Sequence, residues 1–193
     1  MIFATNNVDK LKQLKDLAPD LDIHGLKELG IQVDVEEDGE TFEDNAIKKA
    51  VELQKITGEC VVADDSGLQI DFFDGWPGVY THRFIPSSTA EERNQAILQK
   101  MENVDESLRG AKVVCVLAVC DKKGNVSTYR SELKCKIAFE EKGDNYFGFD
   151  SIVLLDDGRT MAELTDEEKE KVNARSLAFK KLLTSYENDE FKI

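Results

Sequence analysis

Basic residues are scarce: 25 lysines and arginines stand against 39 aspartates and glutamates in 193 residues, a formal charge of −14 with both histidines neutral. A polynucleotide binder needs a basic surface that displaces counterions from phosphates, so that class is excluded. Any phosphate chemistry must then rest on a few local cations and a metal. Long apolar runs are missing too. The longest, 113–120, has eight residues, against the roughly 20 of a membrane span. Residues 1–7 show no basic start, apolar stretch or small-residue cleavage site of a secretory signal, so a soluble, cytoplasmic protein without a membrane partner is expected. Prolines number only three and there is no low-complexity tract, which argues against disorder. The four cysteines, Cys60, Cys115, Cys120 and Cys135, form no C-x-x-C pair, and two lie in the longest apolar run. They read as buried free thiols rather than disulfide partners or zinc ligands. What is present, 41% hydrophobic residues, suffices for one core, and the chain reads as one domain, 1–193.

Along the chain, Ile2 to Thr5 forms a short apolar strand, and Asn7 opens a helix with Leu11, Leu14 and Leu17 at helical spacing that stops before Pro19. Thr41-Phe42-Glu43-Asp44 is a helix start of capping-box type, and Gly58 ends that helix. Cys60 to Ala63 is a buried strand running into Asp64-Asp65-Ser66-Gly67 at its end. Thr89 caps a helix through Met101. Ala111 to Asp121 and Val126 to Ala138 are strands joined at Lys123-Gly124-Asn125, and Thr165 caps one last helix reaching Tyr186. This order gives a mixed α/β domain whose strands need not all be parallel.

Two cations sit where apolar residues belong. At 100° per residue, Phe42, Ala46, Leu53 and Ile56 share a stripe, and Lys49 falls within it with Asn45 one turn earlier. On the last helix Val172, Phe179, Leu182, Leu183 and Tyr186 share an arc that contains Arg175. A lysine at such a position either snorkels to solvent or pairs with an anion, since an unpaired buried charge costs several kcal/mol. Two such helices favour an anion site.

The acids pull the other way. Glu36-Glu37-Asp38-Gly39 precedes the first of these helices, and Asp64-Asp65 follows a buried strand, where α/β folds place ligands. With no histidine or cysteine cluster nearby, these carboxylates suit a hard cation such as Mg²⁺. Gly75-Trp76-Pro77-Gly78 reads equally as a structural turn or as site lining. Tyr146-Phe147-Gly148-Phe149-Asp150 combines a flexible glycine with aromatics and a carboxylate, a set that packs a core or stacks a base.

Taken together and in order, these segments resemble one family: Phe3-Ala4-Thr5-Asn6-Asn7 with Lys10, Glu37 with Gly39-Glu40-Thr41-Phe42, Asn45-Ala46, Lys49-Ala50, Ala63 to Leu68, Gly75 to Tyr80, Phe147 to Asp150, Ala162-Glu163-Leu164, Glu168-Lys169 and Arg175. The chain resembles the non-canonical purine nucleoside triphosphate pyrophosphatases, the Ham1-like inosine triphosphate pyrophosphatases. The resemblance implies an elongated α/β (mixed α+β) molecule with a long central mixed sheet flanked by helices, two lobes with the active-site cleft between them, and a homodimer. It implies Mg²⁺-dependent hydrolysis of ITP, dITP or XTP to monophosphate and pyrophosphate. Thr5, Asn6, Asn7 and Lys10 would form the first phosphate loop, Lys49 would reach the phosphates and Ser66 would hydrogen-bond the substrate. Glu37 and Asp65 would hold the metal with Asp64 in support, Asp65 also serving as general base. Phe147, Gly148, Phe149, Asp150, Lys169 and Arg175 would bind the nucleoside.

Two positions depart from the pattern. Asn173-Ala174-Arg175 stands where the family usually has Ser-His-Arg, and Ser151 stands where it usually has proline. Phosphate and metal positions survive while base-reading positions change, so the second expectation is the same chemistry with relaxed or altered base choice. His82, where relatives carry a small residue, is either a compensating contact or a surface histidine. A nucleotide-binding protein without catalysis is the third alternative, and intact Glu37, Asp65 and Lys49 count against it.

Overall fold

The computed structural model describes residues 1–86, 88–145 and 147–188; Tyr146, one of the aromatics considered for base stacking, lies outside them. The chain divides into two compact units. The first comprises Met1–Ser66, Cys115–Ser131 and Arg175–Ile193, and the second comprises Gly67–Val114 and Glu132–Ala174.

In the first unit a short strand β1 (Ile2–Phe3) pairs in parallel with β2 (His24–Gly25) on one side and β3 (Val61–Ile70) on the other. The strands continue in the order β2-β1-β3-β5-β6, with β5 (Gly110–Cys120) and β6 (Val126–Ile137) joined by a tight turn. Helix α1 (Val8–Leu17) starts at Asn7, whose side chain accepts from the backbone of Asp9 and Lys10. Helix α2 (Phe42–Thr57) starts with a Thr41/Asp44 capping box and ends at Gly58, whose φ of 69° suits a residue without Cβ. Phe42, Ala46 and Leu53 are buried as the stripe requires, with Ala50 buried beside them, but Ile56 is 60% exposed, so the apolar face stops a turn early.

In the second unit β4 (Trp76–Pro77) pairs antiparallel with the far end of β3, and β7 (Val153–Leu154) pairs antiparallel with β6. The sheet is therefore mixed, and helices flank it. Helix α3 (Ala90–Lys100) and α4 (Asp166–Val172) each begin with a capping box, at Thr89/Glu92 and Thr165/Glu168. The core of this unit gathers Leu68, Ile70, Ile97, Met101, Ile137, Ile152 and Met161, with Trp76 and Val172 packed against it. In the Gly75–Gly78 turn the Trp76 ring meets Phe73 and Phe84 edge-on. Arg109, 1% exposed, is satisfied by the carbonyls of Met101, Val104, Ile137 and Ala138.

The expected last helix is two. Helix α4 ends at Asn173, where ψ of 126° leaves the helical region, and α5 (Ala174–Glu187) begins at once. Asparagine competes with helix backbone bonds and favours such boundaries. Val172 and Arg175 therefore do not share one helical arc. All four cysteines are free and buried, as expected, and burial pushes the Cys115 thiol up to about 12. Among the described residues no helix is long and apolar enough to cross a membrane.

Candidate functional site

The decisive local feature is the length of β3. Asp64 to Gly67 was expected as a loop after a four-residue strand, but the strand runs through it to Ile70. Aspartate and glycine disfavour strands in isolation; here the partners of the side chains overrule the propensity. Because successive residues in a strand point to opposite faces, the two aspartates face different surroundings.

Asp64, 2% exposed, turns toward α1 and α5. Its Oδ2 accepts from Lys10 Nζ at 2.9 Å and from Arg175 Nε at 3.2 Å. Two residues on, Ser66 lies on the same face, and its Oγ accepts from Arg175 Nη2 at 3.1 Å. Gln13 steadies the guanidinium from α1, accepting from Nη1 at 3.4 Å while donating to Ser176 Oγ at 2.9 Å. Burial alone would raise the pKa of Asp64, but Lys10, Arg175 and Lys49 outweigh it and hold the carboxyl well below the usual range.

Asp65 turns the other way, toward α2. Its Oδ2 accepts from Asn45 Nδ2 at 2.9 Å, while Asn45 Oδ1 accepts from the Gly39 amide at 2.8 Å. This buried amide thus ties the acidic segment around Glu37 to the strand. Gly39 is required there: a Cβ would lie 2.7 Å from Asn45 Oδ1. Lys49 Nζ contacts Glu37 Oε1 at 2.6 Å and the Asp64 carbonyl, so it pairs with anions instead of snorkelling to water. Burial works against its charge, but Asp64, Glu37 and Asp65 together raise its pKa. Asp65 is pushed up to about 6, first by burial and then by Glu37 and Asp64, with Lys49 and Asn45 opposing.

The phosphate and metal positions expected from sequence fall in the first unit. Thr5 Oγ1 accepts from the Asn7 amide at 3.1 Å, and Asn7 caps α1, whose first turn carries Lys10; Asn6 is exposed. Asp64, expected in support of the metal, has its carboxylate engaged by Lys10 and Arg175 on the strand face opposite Asp65. Arg175, expected at the nucleoside end, joins Asp64 and Ser66 in the first unit. Two contributors were not singled out from sequence: Gln13, for which no pattern speaks, and Asn45 as a bridge, whose signal was a polar residue on a buried helix face.

The nucleoside group lies in the second unit. Asp150 Oδ2 accepts from Lys169 Nζ at 2.9 Å and from the Phe147 amide at 3.2 Å, and Lys169 also donates to the Asn145 carbonyl. Phe147 is 40% exposed, whereas Phe149 is buried with the His82 ring stacked beside it at 6.4 Å. Gly148 turns the chain between them at φ 63°.

A family model described as Ham1 family matches residues 1–185. The chain belongs to the Ham1 family. The dITP/XTP pyrophosphatase of Bacillus subtilis (strain 168) is 38% identical over 185 residues, covering 94% of this chain and 93% of that protein. The dITP/XTP pyrophosphatase of Bacillus licheniformis is 37% identical over 186 residues, covering 94% and 95%. Among solved structures, the Ham1 protein of Staphylococcus aureus superposes with a TM-score of 0.88 at 33% identity, covering 98% of each chain. A HAM1 protein from Coxiella burnetii gives 0.88 at 35% identity, covering 97% of this chain and 98% of that one.

Proposed function

We propose that this Ham1-family chain is a nucleoside triphosphate pyrophosphatase that hydrolyses non-canonical purine nucleotides such as dITP, ITP and XTP to monophosphate and pyrophosphate, acting as a cytoplasmic homodimer. The observation that carries the reading is the pair of adjacent aspartates in β3, one neutralised by Lys10 and Arg175, the other proton-hungry beside Lys49. A carboxylate whose pKa lies near 6 is suited to take a proton from an attacking water. Lys49 stabilises charge on the departing pyrophosphate, and Lys10, Arg175, Ser66 and the N-terminus of α1 bind phosphate oxygens.

Glu37 and Asp65 fit a divalent cation. Both are oxygen donors, and the raised proton affinity of Asp65, due first to burial and in smaller part to Glu37, would be relieved by a cation between them. Mg²⁺ is an ion that uses one or two carboxylates plus waters and phosphates, which two carboxylates beside a triphosphate would supply. When bound, it would neutralise phosphate charge and polarise phosphorus. Asp64 is assigned to anchoring Lys10 and Arg175 instead.

The nucleoside is assigned to Phe147, Asp150 and Lys169. Ala174, 2% exposed, is too small and apolar to supply a base-edge hydrogen bond, which favours a broader base range as the second reading. Pyrophosphate release with Mg²⁺ from dITP, ITP, XTP, GTP, ATP and pyrimidine triphosphates tests both. Release from none refutes the enzyme, and strict dITP/XTP preference refutes the broader range. Light scattering tests the dimer.

A further inference from the structure

Gly148 lies in open space at φ 63°, between an exposed and a buried phenylalanine. A glycine at such a turn is conformationally free unless something holds its peptide groups. Its carbonyl accepts from Asn94 Nδ2 at 3.0 Å. The same amide nitrogen donates to Ser151 Oγ at 3.0 Å, and that hydroxyl donates to Glu141 Oε2 at 2.9 Å. Glu141 Oε1 in turn accepts from Gln95 Nε2 at 2.6 Å. Asn94 and Gln95 are neighbours on α3, so the chain of bonds leaves this helix, passes the turn and returns to it. Asn94 and Ser151 are 1% and 2% exposed. A closed circuit whose centre, the Asn94–Ser151 bond, is buried and which includes a hydroxyl-to-carboxylate bond is stiff.

We infer that Asn94 and Ser151 are positioning residues for nucleoside recognition, fixing the Phe147–Asp150 turn through the Gly148 carbonyl. The inference rests on the proposed reading of that turn as the nucleoside end. Asn94 sits in the second turn of a helix whose start is locked by the Thr89/Glu92 capping box, which makes it a firm point of attachment. Ser151 immediately follows Asp150, so its hydroxyl fixes where the Asp150 backbone leaves the turn.

The test uses the full chain with Ser151→Ala, Ser151→Thr and Asn94→Ala, each checked by thermal melting. Losing the hydroxyl is expected to raise KM for dITP and XTP about fivefold to tenfold, the loss of about one hydrogen bond, with kcat within about twofold. Ser151→Thr, which keeps the hydroxyl, is expected to restore KM. Product inhibition by inorganic pyrophosphate, which reports the phosphate side, is expected to stay unchanged. Combining Ser151→Ala with Asn94→Ala is expected to add little to either, because both break one circuit. Unchanged KM in both single variants, or equal losses in KM, kcat and pyrophosphate inhibition, overturns the inference while leaving the enzyme reading intact. Absence of pyrophosphate release by the wild-type chain overturns both.

Discussion

Replacing Asp65 with asparagine separates what this carboxylate costs from what it does. In the folded chain its pKa stands at about 6 against an ordinary 3.8, chiefly because of burial. The folded state therefore holds the proton more tightly than the unfolded state. The cost of ionisation is absent below about pH 3.8, grows as pH rises, and is complete above about 6. A gap of about two pH units at about 1.36 kcal/mol each puts that cost near 3 kcal/mol at pH 7.5. Asparagine keeps the shape and can still accept the Asn45 hydrogen bond without the charge, but gives up the bond that Asp65 Oδ1 accepts from the Ser66 amide, about 1 kcal/mol. In metal-free buffer at pH 7.5, Asp65→Asn is expected to melt about 4–8 °C above wild type, the remaining gain of about 2 kcal/mol taken at about 2–4 °C per kcal/mol for a chain of this size. The gap should close below about pH 4, and turnover should be lost. Calorimetry of both proteins from pH 4 to 7.5 is the assay. A variant no more stable than wild type at pH 7.5, or an offset that does not change with pH, would refute the reasoning.

Asp64→Asn is expected to do the opposite. The depressed pKa of Asp64 stabilises the fold above the ordinary carboxylate range and is lost as pH falls. The variant should lose about 3–5 kcal/mol near neutrality, the cost of breaking a buried ion pair, and less in acid, as denaturant titrations at two pH values would show. Lys49→Met, which strips Glu37 and Asp65 of their shared cation, should lower kcat about 10²- to 10³-fold in steady-state assays. Gly39→Ala forces a Cβ against Asn45 Oδ1 and should destabilise by about 1–3 kcal/mol in thermal melts, with activity falling as the Asn45 bridge to Asp65 is displaced.

Much of this was legible in the sequence. Helix starts at Thr41, Thr89 and Thr165 announce themselves by short-range capping chemistry, and each is present. Lys49 and Arg175 stood out as charges on apolar faces, and both are paired with acids. The continuation of β3 was not legible, because what stabilises aspartate there comes from Lys10, 54 residues earlier, and Arg175, 111 residues later. The division between α4 and α5 was hidden for a different reason: Asn173 is tolerable inside a helix, so periodicity ran across it. Arg175 was placed correctly on a buried face although the continuous helix assumed for it does not exist.

The alternation along β3 has one more consequence. Asp64 and Asp65 are chemically identical side chains, and their different fates, one locked between two cations and the other left hungry for a proton, depend only on which face of the strand each occupies. A slip of one residue in pairing would turn each to the opposite face, away from the partners it has now. The parallel pairing of Ile2 with Val61 and Phe3 with Val62 is thus the element that assigns the chemistry. A single-residue insertion between Val62 and Asp64 would keep both aspartates and still turn each to the opposite face of the strand.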